Sequence, residues 1–268
     1  MWLSQIFIYP IKSARGIALS ETELTTCGPL HDRRWMLVDE HGIFLSQRKL
    51  PRMVLIEPRF EGPDLVVTAP GMSSLVIRKW SGEGEWVPVR IWRDHLTLPH
   101  PDPSYSDWFS TFLGSPCRLV HLPDTVVRQV EAPFDDPKWR VSLADGYPLL
   151  VVTEASLDLL NIKAPSLIEM ERFRPNLVIA GATPHAEDAW TDLEIDSVRL
   201  RIVKPCARCS IVLVDPTTAK VGVEPLRTLA EYRRMPQSVW FAQNALVLTP
   251  GRVRIGAGLK VADGRDDR

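Results

Sequence analysis

The first hundred residues consist of short apolar runs separated by turn signals, and this alternation restricts the fold more than any other feature of the chain. None of the runs is long enough, or spaced in the right way, for a helix. The runs are IFIYPI, RWMLVDE, GIFLSQR, PRMVLIEP, DLVVTAP, SLVIRKW and WVPVRIW, and the turns between them include DEHG, FEGPD and APGMSS. Six or seven successive strands predict a β-barrel or a β-sandwich.

The rest of the chain mixes helices with strands. PSYSDWFSTFLG predicts a helix with Ser106 as N-cap, TEASLDLLN predicts one capped by Thr153, and EPLRTLAEYRR predicts one with Pro225 in its first turn. Strands are predicted at YPLLVV, NLVIAG, VRLRIV and SIVLVD, followed by a closing hairpin in ALVLTPGRVRIGAGLKV. We therefore predict a mainly β fold with a few helices, of the α+β class.

The length of 268 residues suits two modest domains, each large enough to bury a core. We place the boundary near HLPDT, which gives a β-barrel-like domain at 1–120, a second domain at 121–262 and a frayed polar tail at 263–268.

Charge and hydropathy exclude several classes of function. The formal net charge is −1, so no overall field attracts nucleic acid or an anionic membrane. No stretch approaches the roughly 20 apolar residues of a membrane span, and MWLSQIFIYPIKS lacks the pattern of a secretory signal. We expect a cytoplasmic protein whose four cysteines are thiols.

Two of these cysteines, Cys206 and Cys209, lie three residues apart in KPCARCSIVLVD, between two predicted strands. A structural zinc site needs a second ligand pair that this sequence lacks, and a thioredoxin-like redox pair would start a helix. Both could be ordinary buried residues. However, Lys204 and Arg208 flank them and would favour a thiolate, which could serve as one ligand of a metal whose other ligands come from a cofactor.

The segments around these cysteines resemble a known family. KPCARCSIVLVDPTT, EPLRTLAEYR, RFRPNLVIAG, AEDAW and ADGYPLLVVTEASL look like the MOSC domain. IYPIKSARGI and HDRRWMLVDEHGIFLSQRKLPRMVLIEP look like the β-barrel domain that precedes MOSC in YcbX-like proteins and in the mitochondrial amidoxime reducing component. The resemblance implies an amino-terminal β-barrel-like domain followed by a MOSC β-barrel domain.

The resemblance also implies a molybdenum enzyme that carries molybdopterin, with Cys209 as the protein ligand of the metal and Cys206 without an assigned role. The implied cofactor-binding positions are Lys12, Ser13, Arg33, Arg48, Asp145, Arg174, Asn176 and Arg208. Each has a simpler structural alternative: Lys12 could be an exposed edge-strand charge, and strand alternation allows only one of Arg33 and Arg34 to face a given site.

The activity implied is removal of oxygen from the N–OH group of a small N-hydroxylated substrate. Cys27 and Cys117 are isolated, so no cysteines remain for an iron–sulfur cluster, and we expect a separate electron donor that is ferredoxin-like, a flavin reductase or cytochrome b5-like. Two alternatives remain open: a non-catalytic molybdopterin carrier, and a sulfur-handling module in which Cys206 or Cys209 holds a persulfide.

Overall fold

The computed structural model describes residues 1–131, 139–236 and 238–263, and strands dominate it, which confirms the mainly β prediction. The strands of the first 121 residues are β1 (Trp2–Ile8), β2 (Ile17–Leu19), β3 (Glu21–Thr25), β4 (Gly28–Pro29), β5 (Trp35–Val38), β6 (Glu57–Glu61), β7 (Asp64–Thr68), β8 (Leu75–Ile77), β9 (Glu85–Ile91), β10 (Asp94–His100) and β11 (Arg118–His121). Those that follow are β12 (Leu149–Thr153), β13 (Leu177–Ala180), β14 (Trp190–Ile195), β15 (Val198–Ala207), β16 (Arg234–Met235), β17 (Ser238–Thr249), β18 (Gly251–Arg254) and β19 (Leu259–Asp263).

The largest sheet of the described residues joins both ends of the chain. Its order is β19-β14-β15-β17-β12-β13-β1-β2, with β16 paired to β17. Strands β12 and β13 pair in parallel, and every residue of both is buried, as expected for strands that are covered on both faces. Because β1 pairs with β13, the sheet brings the segment after β1 close to the segments around β13.

Smaller sheets form the rest of the amino-terminal part. These are the pair β9-β10, the pair β5-β11 and the three strands β6-β7-β8, while β3 and β4 form a sheet with β18. The main core of this part contains apolar residues of β5, β7 and β8 and one face of the helix α1 (Pro103–Leu113), including Trp108, Phe109 and Phe112.

Helix α1 begins earlier than predicted. Its N-cap is Asp102, whose carboxylate accepts a hydrogen bond from Ser104 N at 2.8 Å, and Pro103 occupies the first turn. The prediction of Ser106 as N-cap is wrong, because its buried hydroxyl contacts His100 Nε2 at 2.8 Å and accepts from Leu119 N at 3.0 Å. An aspartate followed by proline was the stronger start signal.

The other two helices follow the prediction closely. Helix α2 (Glu154–Lys163) has Thr153 as N-cap, and Pro225 directly precedes α3 (Leu226–Tyr232). Glu187 is fully buried, and its carboxylate accepts from the hydroxyls of Thr153 at 2.9 Å and Ser156 at 2.7 Å, so it supports the start of α2.

Three predicted strands take other forms. PRMVL and SIVL are the 3-10 helices Pro51–Leu55 and Ser210–Leu213, and GIFLSQR forms only isolated bridges at Ile43 and Phe44. Short apolar runs do not distinguish a strand from a buried helical turn, and Pro51 suits a helix start. The predicted closing hairpin is also wrong. Strand β18 pairs with β3 instead of β17, and Val253 and Leu24 of these two strands belong to the same core.

The boundary near residue 120 stays a prediction, although β1 and β2 extend the sheet of the carboxyl-terminal part. Apart from Asp263, the predicted frayed tail lies outside the described residues. Among the described helices, none has the length and apolar character that crossing a membrane requires.

Candidate functional site

All nine residues predicted to bind the cofactor or metal line one cavity of about 140 Å³. They come from six separate segments of the chain. They are Lys12, Ser13, Arg33, Arg48, Asp145, Arg174, Asn176, Arg208 and Cys209. Their roles stay predictions, but their grouping in one cavity is an observation.

Cys209 lies where β15 ends. Strand β15 runs through Cys206 as far as Ala207, Arg208 N donates to Val239 O on β17 at 2.8 Å, and Cys209 is the N-cap of the 3-10 helix Ser210–Leu213. The sequence had suggested that both cysteines lie in one turn between two strands. This is wrong, because Cys206 belongs to β15 and only Cys209 follows the strand. Both cysteines line the cavity, but Cys206 also packs against the core around Phe173, whereas Cys209 begins a new element.

Arg208 connects the two cysteines to the neighbouring loop. Its Nη1 donates to Cys206 Sγ at 3.0 Å and its Nη2 donates to Phe173 O at 2.9 Å. Its Nε is buried and has no hydrogen-bond partner. Because a buried donor without an acceptor costs about 1–3 kcal/mol, this nitrogen favours a ligand that brings an acceptor into the cavity.

Arg33 and Arg174 both lie over the ring of Tyr9, with guanidinium carbons 4.3 and 4.1 Å from its centroid. Both residues have left-handed backbone conformations, with φ of 48° and 57°. Burial, together with the charge of Arg33, lowers the pKa of Arg174 to about 10. Arg174 Nη1 donates to Ala14 O at 2.6 Å, whereas its buried Nη2 has no partner. Two crowded, desolvated cations with a free donor favour an anionic ligand.

Asp32 fixes the positions of Arg33 and Asn176, and the sequence analysis missed it. Its carboxylate is 1% exposed and accepts from Arg33 Nη1 at 2.6 Å, Tyr9 N at 2.8 Å and Asn176 Nδ2 at 3.3 Å. Burial raises the pKa of this carboxyl, and the adjacent Arg33 opposes that shift. Asn176 Oδ1 in turn accepts from Arg33 Nη1 at 3.2 Å. HDRRW gave no signal that separated Asp32 from a surface aspartate.

Lys12 is buried rather than an exposed edge-strand charge. Its Nζ donates to Asp145 Oδ1 at 2.6 Å and to Leu143 O at 2.9 Å. Asp145 also accepts from Trp92 Nε1 at 3.1 Å, and the guanidinium of Arg48 lies 4.4 Å above the Trp92 ring. Although burial acts to raise it, the Lys12 ammonium holds the pKa of the Asp145 carboxyl well below its usual range.

A second residue that the sequence analysis missed, Arg128, holds the loop that carries Asp145. Arg128 is buried, pairs with Asp94 at 2.6 Å, and donates to the backbone oxygens of Ser142 at 2.8 Å, Ala144 at 2.5 Å and Asp145 at 2.6 Å. Four hydrogen bonds from one guanidinium fix this loop, so Arg128 acts on the cavity by positioning Asp145.

Ser13 is buried beside Lys12 and also has a left-handed backbone, with φ of 68°. Its carbonyl accepts from Gln47 Nε2 at 2.7 Å. This bond ties the segment after β1 to the segment that precedes Arg48, so Gln47 is a further supporting residue.

Titration of Lys12 gives a test of this geometry. Burial lowers its pKa to about 8 from the usual 10.5, so between these two values the unfolded chain binds more protons than the folded chain. Below pH 8 the buried Lys12 is charged, and the cost of burying that charge lowers the free energy of unfolding in full. This cost is relieved as the pH rises from 8 to 10.5. In cofactor-free protein, the free energy of unfolding of wild type minus that of Lys12→Met should therefore rise by up to ~1.4 kcal/mol per pH unit in this window.

The measurement is urea unfolding at several pH values. Lys49→Met, which removes a lysine that is 69% exposed, should show no such slope. A flat difference for Lys12→Met as well would contradict the buried position of Lys12.

The donor set of the cavity fits a molybdopterin-type group. Two thiols, those of Cys206 and Cys209, line the cavity and could serve a soft metal, and five cationic side chains and two asparagines line it as well. The unpartnered Nη2 of Arg174 and Nε of Arg208 match the oxygen acceptors of such a group. Asp145 and Gly146 also border a larger cleft of about 1150 Å³, which gives additional room next to the cavity.

Comparison with known proteins identifies the family of the chain. Residues 1–116 match the family model of the MOSC N-terminal beta barrel domain, and residues 138–260 match that of the MOSC domain. Mitochondrial amidoxime-reducing component 1 of Homo sapiens is 32% identical over 95% of this chain and 81% of its own length. Mitochondrial amidoxime reducing component 2 of Homo sapiens is 34% identical over 86% of this chain and 72% of its own length. Molybdenum cofactor sulfurase of Danio rerio is 29% identical over 98% of this chain but only 35% of its own length.

The chain therefore belongs to the MOSC family, with a MOSC N-terminal β-barrel domain in front of its MOSC domain. Its homologues in that family include the mitochondrial amidoxime-reducing components, which it matches at moderate identity over most of its length.

Proposed function

We propose that this protein is a molybdenum cofactor-dependent reductase of N-hydroxylated compounds. The observation that carries the proposal is the position of Cys209 in one cavity with Lys12, Arg33, Arg48, Arg174 and Arg208. The names of the homologues, amidoxime-reducing components, support the same chemistry.

In this proposal each side chain has a distinct task. The Cys209 thiolate is the protein ligand of molybdenum, while Arg174 Nη2 and Arg208 Nε donate to oxygens of the pterin or its phosphate. Asn176 and Arg33 orient the group through the network centred on Asp32. The bound cofactor supplies the two-electron reduction that removes oxygen from the N–OH group.

The reduction consumes two electrons and two protons for each N–OH converted to N–H, with release of water. We propose that a separate protein supplies the electrons, either ferredoxin-like, a flavin reductase or cytochrome b5-like. Only an isolated Cys27 and a buried Cys117 remain among the cysteines once Cys206 and Cys209 are set aside. We also propose that the protein acts in the cytoplasm.

The test is reduction of benzamidoxime to benzamidine by protein from a molybdopterin-producing host, with reduced methyl viologen as electron source. We expect benzamidine to form in proportion to molybdenum content, and no product from protein made in a host that lacks molybdopterin. Molybdenum-loaded protein that forms no benzamidine would contradict the reductase and favour a carrier.

One contact favours a second candidate, a sulfur-handling module. The 3.0 Å hydrogen bond from Arg208 Nη1 to Cys206 Sγ would also stabilise a persulfide on that cysteine. The chain is also similar, over 98% of its length, to a molybdenum cofactor sulfurase. Sulfur that cyanide releases from wild type but not from Cys206→Ser would support this candidate.

A further inference from the structure

A second cavity, of about 800 Å³, lies among other residues of the described chain. It is bounded by segments around Cys27 to Trp35, Phe60 to Leu65, Ile77 to Trp80, and His121 to Val126. None of its lining residues lines the cavity of Cys209. Its volume is within the roughly 300–1,000 Å³ that small-molecule sites occupy.

Aromatic rings form much of its wall. The ring of His121 lies 4.4 Å from that of Trp35 and 5.3 Å from that of Trp80, and the ring of His31 lies 4.8 Å from that of Phe60. The indole N–H of Trp80 donates to Glu83 O at 2.6 Å, which fixes the position of the ring. Such a wall suits a planar aromatic group.

The charges at this cavity are mainly positive. The basic residues that line it are Arg34, Arg78, Lys79, Arg128 and Arg140. Arg78 and Arg128 are paired at 2.6 Å with Asp64 and Asp94, which do not line the cavity. Two carboxylates also line it, Asp32 and Asp124. The Asp32 carboxylate already accepts hydrogen bonds from Arg33, Tyr9 N and Asn176. The Asp124 side chain is 96% exposed and pairs with Arg34. Because an exposed partner is screened by water, the Arg34 charge is only weakly compensated.

The two histidines respond to this environment. Burial, and then the charge of Arg34, lower the pKa of His121 to about 4 and lower that of His31 as well. His121 is therefore a neutral imidazole near pH 7, and its buried Nδ1 has no hydrogen-bond partner. A ligand with a polar group beside its ring would satisfy this atom.

We propose that this second cavity is a binding site for an aromatic carboxylate, with the ring against Trp80 and His121 and the carboxylate facing Arg34. Arg33 and Arg34 are neighbours in the chain that line different cavities, so the site lies directly behind the segment that carries Arg33. It does not depend on the reductase proposal.

The test is isothermal titration of the full chain, purified from a molybdopterin-producing host, with 2-naphthoate and with the neutral 2-naphthamide. We expect 2-naphthoate to bind at least about tenfold more tightly than 2-naphthamide, since a charged hydrogen bond distinguishes them. Arg34→Gln should remove most of that difference, and Trp80→Leu should weaken both ligands.

Two controls locate the binding. Arg208→Gln changes the other cationic cavity, and Arg252→Gln removes an arginine that is 73% exposed, so both should leave the affinity for 2-naphthoate unchanged. The proposal is overturned if wild type does not bind millimolar 2-naphthoate. It is equally overturned if Arg208→Gln abolishes binding while Arg34→Gln and Trp80→Leu preserve it, since the ligand would then occupy the cavity of Cys209.

Discussion

Replacement of Cys209 by serine is expected to lower the rate of benzamidoxime reduction at least about 100-fold. Substituting residues that only support a metal ligand typically costs 10–100-fold, and loss of the ligand itself should cost more. A serine hydroxyl is a harder and less acidic ligand than a thiol, so it is a poor replacement at a site selected for a soft donor. The measurement is the rate per chain with reduced methyl viologen.

Cys206→Ser and Cys117→Ser are matched controls for this substitution. Cys206 lies in β15 and lines the same cavity, and Cys117 is buried in the amino-terminal part. Both variants should keep a rate within about tenfold of wild type, because neither removes the proposed ligand. If Cys209→Ser retains activity and Cys206→Ser loses it, the ligand assignment within the pair is wrong.

Replacement of Asp32 by alanine is expected to lower the free energy of unfolding by roughly 3–5 kcal/mol, because it leaves Arg33, whose side chain is only 12% exposed, without its counter-charge. The substitution also removes the acceptor of Tyr9 N–H and of the Asn176 amide. Arg33 and Asn176 would lose their fixed positions, so the molybdenum content should fall as well. Urea unfolding and metal analysis of the same samples measure both effects.

Asp32→Asn separates the contribution of the negative charge from that of the hydrogen-bond acceptor. It keeps an oxygen for Tyr9 N–H but removes the charge that balances Arg33, so a smaller loss of stability is expected than for alanine. Asp124→Ala removes the exposed partner of the neighbouring Arg34 and should change the stability little. An Asp32→Ala protein as stable as wild type would contradict the role of this carboxylate.

The fold class was predictable because it depends on local patterns, whereas the cavity residues were predicted only from the resemblance to the MOSC family. Alternating apolar runs predicted the strands, and the motifs around Lys12, Arg33, Arg174 and Cys209 supplied residues that the fold does gather in one cavity. Without that resemblance their meeting point was not predictable, because it depends on long-range pairing such as that of β1 with β13.

The supporting residues were missed for a related reason. Asp32 and Arg128 act through partners far away in the chain, for example Asn176 and the backbone of residues 142–145. A single sequence gives no sign that such a charge is buried. The 3-10 helix after Cys209 was missed because Val212 is buried against a distant core, which overrides the strand-like composition of SIVLVD.

The most direct test of the central claim is the molybdenum content per chain, by mass spectrometry, of wild type, Cys209→Ala and Cys206→Ala purified from a molybdopterin-producing host. The account predicts close to one molybdenum per chain in wild type and in Cys206→Ala, and a sharp loss in Cys209→Ala. Folded wild type that contains neither molybdenum nor pterin would contradict it.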